Sequence, residues 1–356
     1  MIPVKNIYYM LSYAFRVLRE QEYRNVATEE FDNVLELYAA ILIRGVTLQV
    51  KRGLGRSYIA ETDELASPRG KFDLARSIKE QSLRKKRLVC TYDEFSVDFP
   101  MNQILRSTVE LLLRSQLSAA RKKELRKLMV YFGEVSSIDL YSVNWNMRFH
   151  RNNQSYRMLI AVCHLIFKGL LQTEEEGPVR LMSFLDDRTM NLLYENFLYE
   201  YFRQEHPELQ VSAPVIRWQL DDDMRDFLPR METDVYLTRG DRILILDAKF
   251  YNQAMQVQYG KYKNRSGNLY QIFTYVKNKQ YELELENEDR KKAGEAPLDF
   301  QVAGMLLYAM TDEEVHPDQE YRMSGNLISV KSLDLNQEFS RIRRQLDDIA
   351  EEYFGS

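Results

Sequence analysis

The segment from Asp241 to Lys249, Asp-Arg-Ile-Leu-Ile-Leu-Asp-Ala-Lys, constrains the fold more than any other stretch of the chain. Ile243 to Leu246 is an uninterrupted apolar run of strand length, and such a run marks a strand buried on both faces. Side chains alternate across a strand, so Asp247 and Lys249 share one face while Ala248 points to the other. A carboxylate and an ammonium at the end of a core strand each carry a desolvation penalty of several kcal/mol unless they are paired or bound to a metal. That penalty points to a site.

Upstream, Arg239-Gly240-Asp241 has the composition of a tight turn. It folds a strand from Glu232 to Leu237 back as a hairpin arm and brings Asp234 beside Asp247. Two carboxylates are hard oxygen donors suited to Mg²⁺, which keeps several waters and shares its shell with phosphate oxygens. Lys249 is placed to orient or deprotonate an attacking water, or to stabilise negative charge developing at phosphorus. The chemistry implied is metal-assisted phosphodiester hydrolysis.

Hydrophobic periodicity organises the rest. Ile7, Leu11, Ala14 and Leu18 share one face of an opening helix, and a second helix is expected from an N-cap at Asp32 to Ile43, before Gly45. Val46 to Val50 and Tyr58 to Glu61 read as short strands, and helices return at Asn102 to Leu113, Glu124 to Met129 and Tyr156 to Leu171. Thr173-Glu-Glu-Glu-Gly-Pro-Val combines like charges with a breaker, which places a linker at 173–180 between domains at 1–173 and 180–356. Beyond it come a helix at Met190 to Glu205, strands near Leu209 to Val215, Glu232 to Leu237 and Arg242 to Lys249, a helix near Leu269 to Lys277, strands at Gln301 to Tyr308 and Leu327 to Val330, and a closing helix from Asn336 to Tyr353. This order predicts an α/β C-terminal domain, a mixed sheet flanked by helices, preceded by a mixed, helix-rich α+β domain. No internal repeat is visible.

A length of 356 residues suits about two domains, and 45% hydrophobic with 29% charged residues excludes a disordered or fibrous chain. Lys+Arg 49 against Asp+Glu 53 gives a net charge of −4, so contact with nucleic acid must come from local basic patches or a partner. Cys90 and Cys163 fit neither a zinc spacing nor a disulfide framework. The N-terminus lacks the layout of a signal peptide, and no apolar run has the length of a membrane span. A cytoplasmic protein with no membrane contact is expected.

At this point the residues match a known pattern. Asp234, followed thirteen residues later by Asp247-Ala-Lys249, resembles the PD-(D/E)xK nuclease signature, with Glu-Thr-Asp in place of Pro-Asp. Gln271 and Tyr275 resemble the QxxxY element of some branches of that superfamily, and a spacing of four puts them on one helical face. Glu195 is similar to the superfamily's helical glutamate, with Glu200 as the competing choice. Ile2 to Phe15, Arg69 to Ile78 and Leu228 to Asp234 further resemble the McrC family, with the likeness running from Ile2 to the closing helix. The resemblance implies a DNA endonuclease subunit of a methylcytosine-dependent restriction system. It also implies an McrB-type AAA+ GTPase ring as partner, which would recognise modified double-stranded DNA and bind the GTP, while residues 1–173 dock on that ring and stimulate it. In keeping with that division of labour, the chain has no GxxxxGK[ST] phosphate loop.

The segment Lys261-Tyr-Lys-Asn-Arg-Ser-Gly267 lies between the candidate catalytic strand and the Gln271 helix, and Lys261, Lys263 and Arg265 are the expected phosphate contacts. The runs Arg84 to Arg87, Arg121 to Lys123 and Arg341 to Arg344 read as solvated faces. The four histidines have no ligand spacing, and the aromatic cluster Tyr8, Tyr9, Tyr13 and Phe15 reads as core. A double-strand break from one centre per chain calls for two copies, hence an expected homodimer through the nuclease domains. The rival from another class is a non-catalytic adaptor of an AAA+ ring that keeps a vestigial nuclease fold.

Overall fold

The computed structural model describes residues 2–176, 187–222, 224–250, 256–258, 261–263, 265–310 and 316–355. They form two compact units: one built from Met1–Asp32 together with Leu185–Ser356, the other from Asn33–Phe184.

The chain enters with α1 (Val4–Ala14), whose buried Ile7, Met10 and Leu11 recur at helical spacing. This helix belongs to the C-terminal unit, which corrects a domain cut that gave all of 1–173 to the other. Asn6 Nδ2 donates to the backbone oxygens of Leu335 and Gln337 at 2.9 and 2.8 Å, and Tyr13 OH donates to Glu205 at 2.7 Å. Tyr8 and Tyr13 are core as expected, whereas Tyr9 and Phe15 are only half-buried; Tyr9 stacks on Phe339 at 4.5 Å and Tyr13 packs on Phe197 and Tyr201, in the distant half of the chain. Partners some two to three hundred residues away leave no local signal in sequence. Of the expected linker at 173–180, residues 173–176 are the end of a helix and 177–180 lie outside the described residues.

The unit Asn33–Phe184 holds α2 (Val34–Lys51), β1 (Ser57–Leu65), β2 (Lys71–Asp73), β3 (Leu88–Ser96), α3 (Pro100–Arg114), α4 (Ala119–Met129) and α5 (Tyr156–Glu176). Its antiparallel sheet has the order β1-β3-β2, with Ser57 to Leu65 opposite Ser96 to Leu88. The expected strand at Val46 to Val50 is instead the last part of α2. Leu35, Leu42, Val46 and Gln49 continue one buried helical face straight through Gly45, so tertiary burial overrides the β-branched Val46-Thr47. Asn33 rather than Asp32 caps the helix, accepting from the Glu36 N–H at 3.0 Å.

The other unit continues with α6 (Asp187–Glu205), β4 (Gln210–Ser212), β5 (Val235–Arg239), β6 (Arg242–Lys249), α7 (Ser266–Lys292), β7 (Gln301–Ala309), β8 (Gln319–Met323), β9 (Asn326–Leu333) and α8 (Phe339–Phe354). Six strands form a mixed sheet in the order β8-β9-β7-β6-β5-β4. β6, β7 and β9 run parallel, whereas β5, β4 and β8 add antiparallel edges. Ile243 and Ile245 pack with Ile272, Tyr275 and Val276 of α7, so alternation along β6 carries Asp247 and Lys249 onto that same face. α7 lies close to the sheet because β7 presents Gly304 there: a Cβ on Gly304 would sit 2.7 Å from Ile272 and 2.8 Å from Val276.

Candidate active site

The two arms of the hairpin carry the acids. β5 and β6 pair with Arg239 opposite Arg242 and Val235 opposite Leu246, leaving a two-residue loop with Gly240 at φ +60°. A positive φ at that position of a hairpin loop favours glycine. Extending the register by one pair sets Asp234 against Asp247, as the sequence predicts. Asp234 Oδ2 accepts from the Ala248 N–H at 2.8 Å, which ties the first acid to the backbone between the second acid and the lysine. Asp247 is 1% exposed and its Oδ2 lies 2.6 Å from Lys249 Nζ. Apart from Lys249 and the neighbouring Asp234 carboxyl, the Asp247 oxygens have no hydrogen-bond partner among the described residues.

Burial sets the electrostatics. It pushes the Asp234 carboxyl up to about 8, reinforced by the Asp247 and Glu195 charges and opposed by the Lys249 ammonium. Asp247 is likewise raised by burial against the pull of Lys249. Glu195 on α6 is raised to about 7, again first by burial, with Lys249 lowering and Asp247 raising it. Among the described residues, three acids of raised pKa thus lie in the field of one ammonium, an arrangement that disfavours full ionisation without further positive charge. The donor set fits a divalent cation of the Mg²⁺ type: two hard carboxylates, one of them almost wholly buried, suffice for an ion that binds few protein ligands. No group of three acids, histidines or cysteines converges as a complete metal cage among the described residues.

The structure also separates the two helical glutamates. Glu195 faces the centre, whereas Glu200 is bonded to Arg203 at 2.6 Å and to Gln204 at 3.0 Å. Gln271 Nε2 donates to Tyr275 OH at 3.0 Å on the first turns of α7, and Tyr275 lies within the field of Asp247 and Asp234. Lys261 and Lys263 fall on a short antiparallel ladder with Gln256–Gln258, and their side chains lie outside the described residues. Arg265 occupies the N-cap position of α7. The basic runs expected to be solvated contain paired residues: Lys85 with Glu64, Arg121 with Glu36 and Glu124, and Arg343 with Glu205.

One residue escaped sequence reading. Asn191, one turn before Glu195 on α6, accepts from the Phe250 N–H at 2.8 Å and donates to Glu195 Oε1. Its only sequence signal is the i, i+4 spacing to Glu195, and any polar pair on a helix has that.

Fold and site define a mixed α/β protein with a buried cluster of acids and one amine at the end of the central strand of its sheet. The model of a family described as McrBC 5-methylcytosine restriction system component matches residues 4–285. The chain is 30% identical over 358 residues to the type IV methyl-directed restriction enzyme EcoKMcrBC of Escherichia coli (strain K12), covering 99% of this chain and 98% of that one. It therefore belongs to the McrBC restriction-system family, as a chain of the McrC type. Two solved structures are also similar. One is a half-complex from a tetradecameric assembly of Thermococcus gammatolerans McrB AAA+ hexamers with bound McrC, with TM-score 0.44, 18% identity and coverage of 95% of this chain and 75% of that one. The other is the McrBC complex of the same organism, with TM-score 0.40, 21% identity and coverage of 57% and 58%.

Proposed function

We propose that this chain is the DNA endonuclease subunit of a methylcytosine-dependent restriction system and cuts DNA by Mg²⁺-assisted phosphodiester hydrolysis. The observation that carries the reading is the meeting of Asp234, Asp247 and Lys249 on adjacent hairpin arms at a buried strand end. On this reading the C-terminal unit is a PD-(D/E)xK, restriction-endonuclease-like domain. Asp234 and Asp247 hold the cation, which supplies charge neutralisation at the scissile phosphate when bound. Lys249 orients the incoming water and takes up charge as the bond breaks. Gln271, braced by Tyr275, orients a water or a phosphate oxygen, and Glu195 closes the α6 side of the site. Lys261, Lys263 and Arg265 follow the DNA backbone.

The partner is an McrB-type AAA+ GTPase ring that binds the GTP, selects the modified double-stranded DNA and is stimulated by this chain. The part expected to dock on the ring, given as 1–173 from sequence, narrows to the unit Asn33–Phe184, because the opening helix completes the other unit. The setting is the cytoplasm, and no helix among the described residues is long and apolar enough to cross a membrane. Two copies, paired through their nuclease domains, make the double-strand break.

Incubating the chain with its ring, GTP and methylcytosine-containing DNA tests the reading: strand scission is expected with Mg²⁺ and none with a chelator. GTPase stimulation without scission under every combination would favour the non-catalytic adaptor.

A further inference from the structure

We infer that Asn191 is a positioning residue of the candidate active site, holding Glu195 toward Asp247 and Lys249 while fixing the end of β6; the inference rests on the nuclease reading above. Phe250 follows the last ladder residue of β6 and is buried, so its N–H needs an acceptor that the sheet does not give. Asn191 Oδ1 is that acceptor, at 2.8 Å. A backbone N–H only donates, so the amide orientation is determined: oxygen toward Phe250, nitrogen toward Glu195. Glu195 Oε1 accepts from that nitrogen.

One amide therefore references a helical acid to the strand end that carries Asp247 and Lys249. A glutamate alone on α6 would sample several rotamers, and outer hydrogen bonds of this kind set the geometry of groups around an active centre. The contrast with Glu200 supports this, since Arg203 and Gln204 turn that acid to other partners. Sequence spacing alone does not tell the two glutamates apart.

The test separates the two arms of the bracket. Asn191→Asp keeps an acceptor for the Phe250 N–H but replaces the donor to Glu195 with a like charge, whereas Asn191→Leu removes both bonds. Single-turnover cleavage by the full complex with its ring, GTP, methylcytosine DNA and saturating Mg²⁺ is measured below the melting transition of each variant. Both are expected to cut about 10- to 100-fold more slowly, the usual loss for outer-shell partners, with the half-saturating DNA concentration unchanged. A strand clamp acting alone would leave Asn191→Asp at the wild-type rate and slow only Asn191→Leu, which would overturn the inference. As a second variant, replacing Phe250 by its α-hydroxy analogue removes the backbone donor, with some weakening of the Lys249 carbonyl as an acceptor, and is expected to slow cutting by less than Asn191→Leu, because the amide then keeps only its bond to Glu195. A wild-type rate in this analogue would overturn the tie between Asn191 and the strand end. A wild-type complex that does not cut at all would sink the nuclease reading itself, and this inference with it.

Discussion

At the scale of single residues, the described part of the site gathers acids where a folded protein least tolerates their ionised form. Asp234, Asp247 and Glu195 are all raised, first by burial, with Lys249 pulling each of them the other way. With its carboxyl pushed up to about 8 from the ordinary aspartate value of 3.8, Asp234 keeps its proton in the native state after the unfolded chain has lost it. Its contribution to stability is therefore full at low pH and is lost as pH rises through the folded value. In chelator, the melting temperature is expected to fall between pH 5 and about 8, and Asp234→Asn should flatten that slope. At pH 8 the same variant should gain about 1 kcal/mol, roughly 2–4 °C in a unit of this size, with wild type recovering a similar amount on adding Mg²⁺. Thermal melts across pH with and without Mg²⁺ check all three. Asp234 and Asp247 were legible in sequence because hairpin register is a local property: a turn at Gly240 and period-two alternation bring Asp234 to Asp247 without reference to the rest of the chain. Glu195 was named by resemblance alone, with Glu200 left as its competitor, and Asn191 was missed, since their role depends on how α6 is docked and on its helical phase at the strand end.

At the scale of elements, Gly304 sets how closely α7 approaches the sheet, and α7 carries Gln271 and Tyr275. Gly304→Ala would force a methyl against Ile272 and Val276, an overpacking that costs about 1–3 kcal/mol and tilts the helix away from β6. The expected result is a lower melting temperature together with slower cleavage, and a crystal structure of the variant should show α7 displaced. An unchanged cleavage rate would mean that the height of α7 above the sheet is irrelevant to the site. Sequence periodicity found the buried first half of α7 and stopped near Lys277, because the remainder is a charged helix with few buried positions. Lys279–Glu282 and Lys292–Asp289 pairs line that extension, which has too little apolar stripe to announce itself. Conversely, α2 was cut short in the sequence reading at Gly45, a residue whose modest helix penalty is outweighed by the buried face running on to Gln49.

At the scale of the whole molecule, the C-terminal unit is closed by the first helix of the chain. Asn6 is 3% exposed and satisfies two backbone carbonyls before α8, so Asn6→Ala should destabilise this unit by about 1–3 kcal/mol and leave the Asn33–Phe184 unit unaffected. Hydrogen exchange in mild denaturant would show this as selective loss of protection in α6, β6 and α8. Uniform loss across both units would contradict the division of the chain. A contiguous domain cut missed this closure because contacts between the two ends of a chain are set by assembled surfaces rather than by any local pattern. Whether the hairpin acids and their lysine perform the cut is decided by strand cleavage with Asp247→Ala and Lys249→Ala in the full complex. Each should lower the rate about 10²-fold or more while ring binding and GTPase stimulation persist. Cleavage at the wild-type rate by either variant would contradict the claim.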